Sequence, residues 1–166
     1  MKNLIIYRSV YGSTKEYAQW IADAIGADIF SLEEAENVDL NNYENIVLGC
    51  GVYAGKIKIK KWIVSNWDKL KSKNKVVLFT TSGSPAEEIK KEKMIERNLP
   101  KEILAKIRYF PLGGRMVIED LNFFHKLIIK LLAKMTKDPG LKKRSVKGFN
   151  FMDKKNIDPI LDYLKA

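Results

Sequence analysis

The amino-acid sequence predicts an α/β domain built on a doubly wound parallel sheet. Apolar runs that suit strands alternate with amphipathic segments that suit helices, beginning at the N-terminus. The strand candidates are near-continuously apolar, as expected when helices cover both faces of a sheet. With right-handed crossovers, five strands in 166 residues suit the strand order 2-1-3-4-5. We expect one domain over residues 1–166, since 46% of the residues are hydrophobic.

Apolar runs and helical spacing define the individual elements. Strands are predicted over residues 2–7, 27–32, 45–50, 75–81 and 107–112. Helices are predicted over residues 14–25, 58–70, 85–98 and 156–164, with Pro159 in the first turn of the last one. Residues 113–153 do not fit this alternation, and they contain a further helix at 120–136. We interpret them as an insertion at the edge of the sheet, near strand five, and not as a second domain.

The loop after the first strand is the strongest candidate for a ligand site. In an open α/β sheet, ligands bind at the carboxyl ends of the strands where the chain order reverses, here between strands one and three. A glycine permits close backbone approach, hydroxyl groups donate hydrogen bonds, and a helix N-terminus stabilises phosphate. The alternative is an ordinary helix cap by Ser13 or Thr14. The candidate phosphate-binding residues are Ser9, Val10, Tyr11, Gly12, Ser13 and Thr14.

Missing motifs narrow the ligand class. The chain has no G-x-x-x-x-G-K-[ST] motif and no G-x-G-x-x-G after the first strand, so the loop suits a mononucleotide better than a nucleoside triphosphate or a dinucleotide. One cysteine, Cys50, and one histidine, His125, cannot form a Cys/His zinc site, and no metal is expected. Cys50 ends an apolar strand and is interpreted as a packing residue.

Residues 7–17 (YRSVYGSTKEY) resemble the phosphate loop of flavodoxins, whose [ST]-x-x-G-x-T pattern is matched by Ser9, Gly12 and Thr14. The resemblance implies a flavodoxin-like fold and FMN as the cofactor. It also implies that the loops after strands three and four contact the flavin ring. These loops contain Gly51, Val52, Tyr53, Ala54 and Gly55, and Thr81, Ser82, Gly83 and Ser84.

Tyr53 is the residue expected to stack on the flavin ring, and a surface contact with Trp62 is the alternative. Flavodoxins often carry a second aromatic residue in the loop after strand four, but residues 83–98 contain none. One flavin face is therefore expected to be open, or covered by Tyr11, Val52 or the insertion. Arg8 and Arg115 are candidates for pairing with a phosphate or a carboxylate, or else are solvated surface residues.

A narrower resemblance, to flavodoxin-type protoporphyrinogen dehydrogenases, rests on residues 49–56 and 121–138. It implies an FMN-dependent oxidoreductase that takes electrons from a small organic substrate and passes them to a quinone. No catalytic acid or base is predicted. One alternative is a basic flavodoxin that carries electrons to a protein partner. Another is a binding module without cofactor, but a nucleic-acid partner is not expected because the basic segment lacks interleaved aromatic residues.

The net charge of +10 favours anionic partners. On the inserted helix, Lys126, Lys130, Lys134 and Lys137 form a stripe opposite a wide apolar face, a pattern typical of interfacial helices. Residues 121–137 are therefore candidates for peripheral contact with an anionic membrane. The alternative is that the apolar face packs against the sheet. We expect a cytoplasmic protein, either free in the cytoplasm or peripheral at the cytoplasmic face of the membrane, because the chain has a single cysteine and no long apolar run.

Overall fold

The computed structural model describes residues 2–85 and 91–166. Within these ranges, it describes the side chains of all residues except 91 and 92. Its sheet contains six strands, five of them parallel: β1 Asn3–Arg8, β2 Asp28–Ser31, β3 Asn45–Tyr53, β4 Lys56–Ile57, β5 Lys75–Ser82 and β6 Ile107–Gly113. The parallel order is β2-β1-β3-β5-β6, which confirms the predicted order, and the short β4 pairs antiparallel with the end of β3. The carboxyl ends of β1 and β3 are adjacent, as the site prediction requires.

Helices cover both faces of this sheet. They are α1 Ser13–Ile25, α2 Lys60–Ser65, α3 Trp67–Leu70, α4 Lys91–Glu96, α5 Lys101–Lys106, α6 Phe123–Met135, α7 Pro139–Lys147 and α8 Asp158–Lys165. Two apolar clusters form the core, one on each face. Close packing at the centre needs a glycine: a Cβ on Gly49 would lie 2.3 Å from the buried ring of Phe79.

Between β3 and β6, the helices differ from the prediction at two places. The helix predicted over 58–70 is broken at Asn66, whose side-chain amide donates to the carbonyl of Trp62 (3.0 Å). The helix α5, which follows Pro100, was not predicted. The helix predicted over 85–98 falls partly outside the described residues, and α4 is the part that the structure describes.

The insertion leaves the sheet after its edge strand, β6. Two short strands, β7 Arg115–Met116 and β8 Phe149–Asn150, pair antiparallel at its two ends. The helix α6 begins later than predicted because the Asn122 side chain accepts a hydrogen bond from the backbone N–H of His125 (2.8 Å). The sequence analysis missed α7, although Asp138 and Pro139 form a recognisable helix start.

Tyr17 connects α1 to both ends of the insertion. Its fully buried hydroxyl donates to the Gly113 carbonyl (3.0 Å) and accepts from the Asp153 N–H and the Asn156 amide (both 3.2 Å). Since Tyr17→Phe leaves these groups without their partner, we expect the free energy of unfolding to fall by about 1–3 kcal/mol in urea denaturation.

A matched control is Tyr7→Phe, because the Tyr7 hydroxyl makes no hydrogen bond within the described part of the chain. We expect this control to stay within about 0.5 kcal/mol of the parent protein. Equal unfolding free energies for the two variants would contradict the role assigned to Tyr17.

Candidate functional site

The loop between β1 and α1 turns at Gly12, which has a φ of +91° and caps α1. Ser9 Oγ accepts a hydrogen bond from the Gly12 N–H (3.1 Å). No side chain caps α1, so the alternative in which Ser13 or Thr14 serves as the cap is wrong. Backbone N–H groups of the first helical turn are therefore left without a capping side chain, which is the arrangement that binds a phosphate.

The hydroxyl groups of Ser13 and Thr14 fix the position of this loop. Ser13 Oγ accepts from the backbone N–H of Arg115 (3.0 Å) and donates to its carbonyl (3.3 Å). Thr14 is 2% exposed, and its hydroxyl is hydrogen-bonded to that of Thr81 (2.8 Å). The start of α1 is thus held against the end of β5. A direct contact between these hydroxyls and a phosphate stays a prediction.

The loop after β3 is a tight hairpin turn that presents Tyr53. Ala54 and Gly55 have φ values of +48° and +72°, as a two-residue turn between β3 and β4 requires. A Cβ on Gly51 would lie 2.7 Å from the Tyr53 ring, so this glycine makes room for the aromatic side chain. The Asn98 amide secures the turn by donating to the Gly55 carbonyl (2.9 Å).

A cavity of about 350 Å³ lies at the carboxyl ends of β3 and β5. Val52 lines it from the end of β3, Ser82 from the end of β5, and Ser84 from the loop that follows β5. Lys93 and Arg97, in and just after α4, add positive charge to the wall. The structure thus brings together the two loops that were predicted to contact a flavin ring.

His125, which was not predicted as a site residue, lies beside two of the predicted cofactor loops. A hydrogen bond joins its Nδ1 to the Tyr11 hydroxyl, and the two rings meet edge to face at a centroid distance of 5.5 Å. The rings of His125 and Tyr53 are nearly parallel, with an angle of 20° and a centroid distance of 6.4 Å. A lone histidine in an apolar helix gives no sequence signal for such a position.

The insertion begins at the edge of the sheet, as predicted, and it also extends over the carboxyl ends of the strands. It begins beside β6 as expected, but its first residues hydrogen-bond Ser13 and, through the Gly114 N–H, the Ser82 carbonyl (2.8 Å). At its far end, the Phe149 ring lies 3.2 Å from the position of a Cβ on Gly83. With His125 beside Tyr11 and Tyr53, the insertion adjoins all three predicted cofactor loops.

Burial and hydrogen bonds act on several ionisable groups near the site. Burial raises the pKa of the Tyr53 hydroxyl and raises that of the Cys50 thiol to about 12, so Cys50 is a packing residue as predicted. Arg115 forms an ion pair with Glu16 (3.0 Å), and Arg8 donates to the Lys58 carbonyl (3.3 Å).

The apolar face of α6 is uncovered, so the alternative that it packs against the sheet is wrong. Phe123, Phe124, Leu131 and Met135 are 84%, 66%, 56% and 72% exposed, and Ala133 is the buried residue of this helix. Among the described residues, no helix combines the length and the apolar character that crossing a bilayer would need.

Comparison with known proteins identifies the family. A sequence model of the flavodoxin domain matches residues 4–142. The uncharacterised protein MJ0298 of Methanocaldococcus jannaschii is 37% identical over 87 residues, which are 51% of this chain and 57% of that protein, so the match spans little more than half of the relative.

Two solved structures are similar to this one. The Trp repressor binding protein of Bacillus subtilis has a TM-score of 0.51 and 14% identity, over 68% of this chain and 85% of that chain. A flavoprotein of Lactobacillus acidophilus, solved in complex with FMN, has a TM-score of 0.48 and 20% identity, over 68% of this chain and 91% of its own. Because the flavodoxin domain model covers most of the sequence, the chain belongs to the FMN-binding flavodoxin family that its phosphate loop resembles.

Proposed function

We propose that this protein is an FMN-dependent oxidoreductase that passes electrons from a reduced organic substrate to a membrane quinone. This is the reaction class of the flavodoxin-type protoporphyrinogen dehydrogenases that residues 49–56 and 121–138 resemble. The observation that carries the proposal is the uncovered apolar face of α6, a helix that also contacts the cofactor loops through His125.

The residues at the site fit FMN. Apart from its two chain neighbours, no described residue has an atom within 4 Å of the position of a Cβ on Gly12, so the backbone there is open to a phosphate beside the start of α1. Tyr53 offers a flat apolar ring with a polar edge, which suits an aromatic cofactor. When bound, FMN supplies the transfer of electrons between donor and acceptor, while the protein supplies binding, orientation and electrostatics.

The basic residues of α6 and α7 suit a membrane that carries anionic lipids. Eight lysines and arginines lie between residues 126 and 147, against one acid, Asp138. Lys130, Lys134 and Lys137 are exposed, and each lysine near an anionic surface contributes about 1 kcal/mol to binding. The apolar face of α6 would enter the boundary between headgroups and acyl chains, where a quinone is accessible.

The test is electron transfer to quinones by the protein reconstituted with FMN. We expect turnover with protoporphyrinogen as donor and menaquinone in anionic vesicles as acceptor. Replacing Phe124, Leu131 and Met135 with serine should slow this reaction at least about tenfold, because the apolar contact with the membrane is lost. The same variant should keep the parent rate with a water-soluble short-chain quinone. A loaded protein that reduces neither quinone would contradict the proposal.

The net charge of +10 favours a second candidate, a flavodoxin that carries electrons to an acidic protein. Such an encounter is steered by charge, so its rate falls steeply with ionic strength. Fast, salt-sensitive electron transfer to an acidic redox protein, together with no quinone turnover, would select this candidate.

A further inference from the structure

His125 lies against the predicted cofactor loops, unlike the two aromatic residues that precede it on α6. Its neighbours Phe123 and Phe124 extend into solvent, whereas His125 is half-buried beside Tyr11 and Tyr53 of two cofactor loops. The Asn122 cap fixes the backbone at this residue, since the capped N–H is that of His125 (2.8 Å). The start of α6 is therefore positioned so that one ring reaches the site.

The Tyr11 hydroxyl fixes the orientation of the imidazole. A hydrogen bond to Nδ1 leaves Nε2 as the ring nitrogen that is free to face other groups. The plane of the imidazole is within 20° of the Tyr53 plane, and the centroids are 6.4 Å apart. Carbon atoms in contact are about 3.5–4.0 Å apart, so a flat ring between these two rings needs a spacing of about 7–8 Å. The two rings therefore have to move apart by at least about 0.6 Å to admit one.

The loop after β5 does not supply an aromatic ring that faces Tyr53. Residues 83–98 contain no aromatic residue. Phe149 packs against Gly83, but its ring is stacked on Phe151 with an angle of 18° and a centroid distance of 5.2 Å. Among the described residues, the ring that adjoins both Tyr11 and Tyr53 is the imidazole of His125.

We propose that His125 is a cofactor-binding residue, and that the flavin ring stacks between Tyr53 and His125. This inference rests on the proposed binding of FMN at these loops, and it assigns the second ring contact to the insertion. A flat ring held between two side chains on separate elements also links cofactor binding to the position of α6.

The test compares three single variants of the whole chain by FMN titration. His125→Leu removes the ring but keeps an apolar side chain, His125→Phe keeps a ring without the hydrogen bond to Tyr11, and Phe123→Leu removes an aromatic ring from the same helix away from the loops. Circular dichroism and urea unfolding establish that each variant is folded. The readouts are the dissociation constant of FMN and the fluorescence of the bound flavin, which a stacked aromatic ring quenches.

We expect His125→Leu to raise the dissociation constant about tenfold and to increase the fluorescence of the bound flavin, because one stacking partner is lost. His125→Phe should stay within about threefold of the parent protein and keep the quenching, and Phe123→Leu should match the parent in both readouts. Equal values for His125→Leu and Phe123→Leu would overturn this inference alone. A parent protein that binds no FMN would overturn the proposed function as well.

Discussion

Gly12→Val is expected to lower the affinity for FMN about 100-fold, a change of about 2.7 kcal/mol. A φ of +91° is strained for a β-branched residue and costs about 1–3 kcal/mol or more. The loop relieves this strain by turning its backbone, and the first N–H groups of α1 then no longer point toward the phosphate. Titration of the purified protein with FMN, followed by flavin fluorescence, measures the effect.

Gly26→Val is a matched control for this experiment. Gly26 ends the same helix, has a φ of +62°, and also has no atom within 4 Å of the position of a Cβ. We expect a comparable loss of stability in urea, while the affinity for FMN stays within about threefold of the parent value. If both variants bind FMN equally well, the phosphate does not lie at the start of α1.

Charge reversal on α6 is expected to have the second large effect. Lys130→Glu, Lys134→Glu and Lys137→Glu together replace three attractions to an anionic surface with three repulsions. At about 1 kcal/mol for each charge, the partition coefficient onto vesicles rich in phosphatidylglycerol should fall more than about 100-fold. Co-sedimentation with these vesicles, and with neutral phosphatidylcholine vesicles for comparison, measures the change.

The control for charge reversal alters the same number of lysines elsewhere. Lys154→Glu, Lys155→Glu and Lys165→Glu change the net charge equally, and these side chains are exposed near the C-terminus. We expect this variant to lose less than about tenfold in binding to the same vesicles. Equal losses in the two variants would mean that overall charge, and not α6, attracts the protein. A parent protein that does not bind the vesicles would contradict membrane contact altogether.

The sheet could be predicted because its signal is local. Buried parallel strands are continuous apolar runs, and residues 45–50 and 75–81 could be recognised without knowledge of their neighbours. The break at Asn66 could not be predicted, because the apolar spacing of residues 58–70 continues across it. A side-chain hydrogen bond to Trp62 ends the first helix there, and periodicity does not detect such a bond.

The proximity of the three predicted cofactor loops could be inferred from the sequence, but the residues that the insertion brings to them could not. Ser9, Gly12 and Thr14 form a contiguous motif, whereas the position of His125 depends on contacts distant in sequence, such as that between Ser13 and Arg115. Apolar spacing also fails to distinguish a buried helix face from an uncovered one. The pattern of α6 was therefore compatible with core packing, and only the three-dimensional arrangement excludes it.

The pairing of β7 with β8 has a consequence for how the insertion joins the domain. Met116 lies opposite Phe149, so the chain leaves the part of the fold that is built on the parallel sheet, and returns to it, at neighbouring positions. A two-residue turn such as Asn-Gly could join these positions without changing the register of the strands. Residues 117–148 therefore form one segment that a short turn could replace without any change in the parallel sheet.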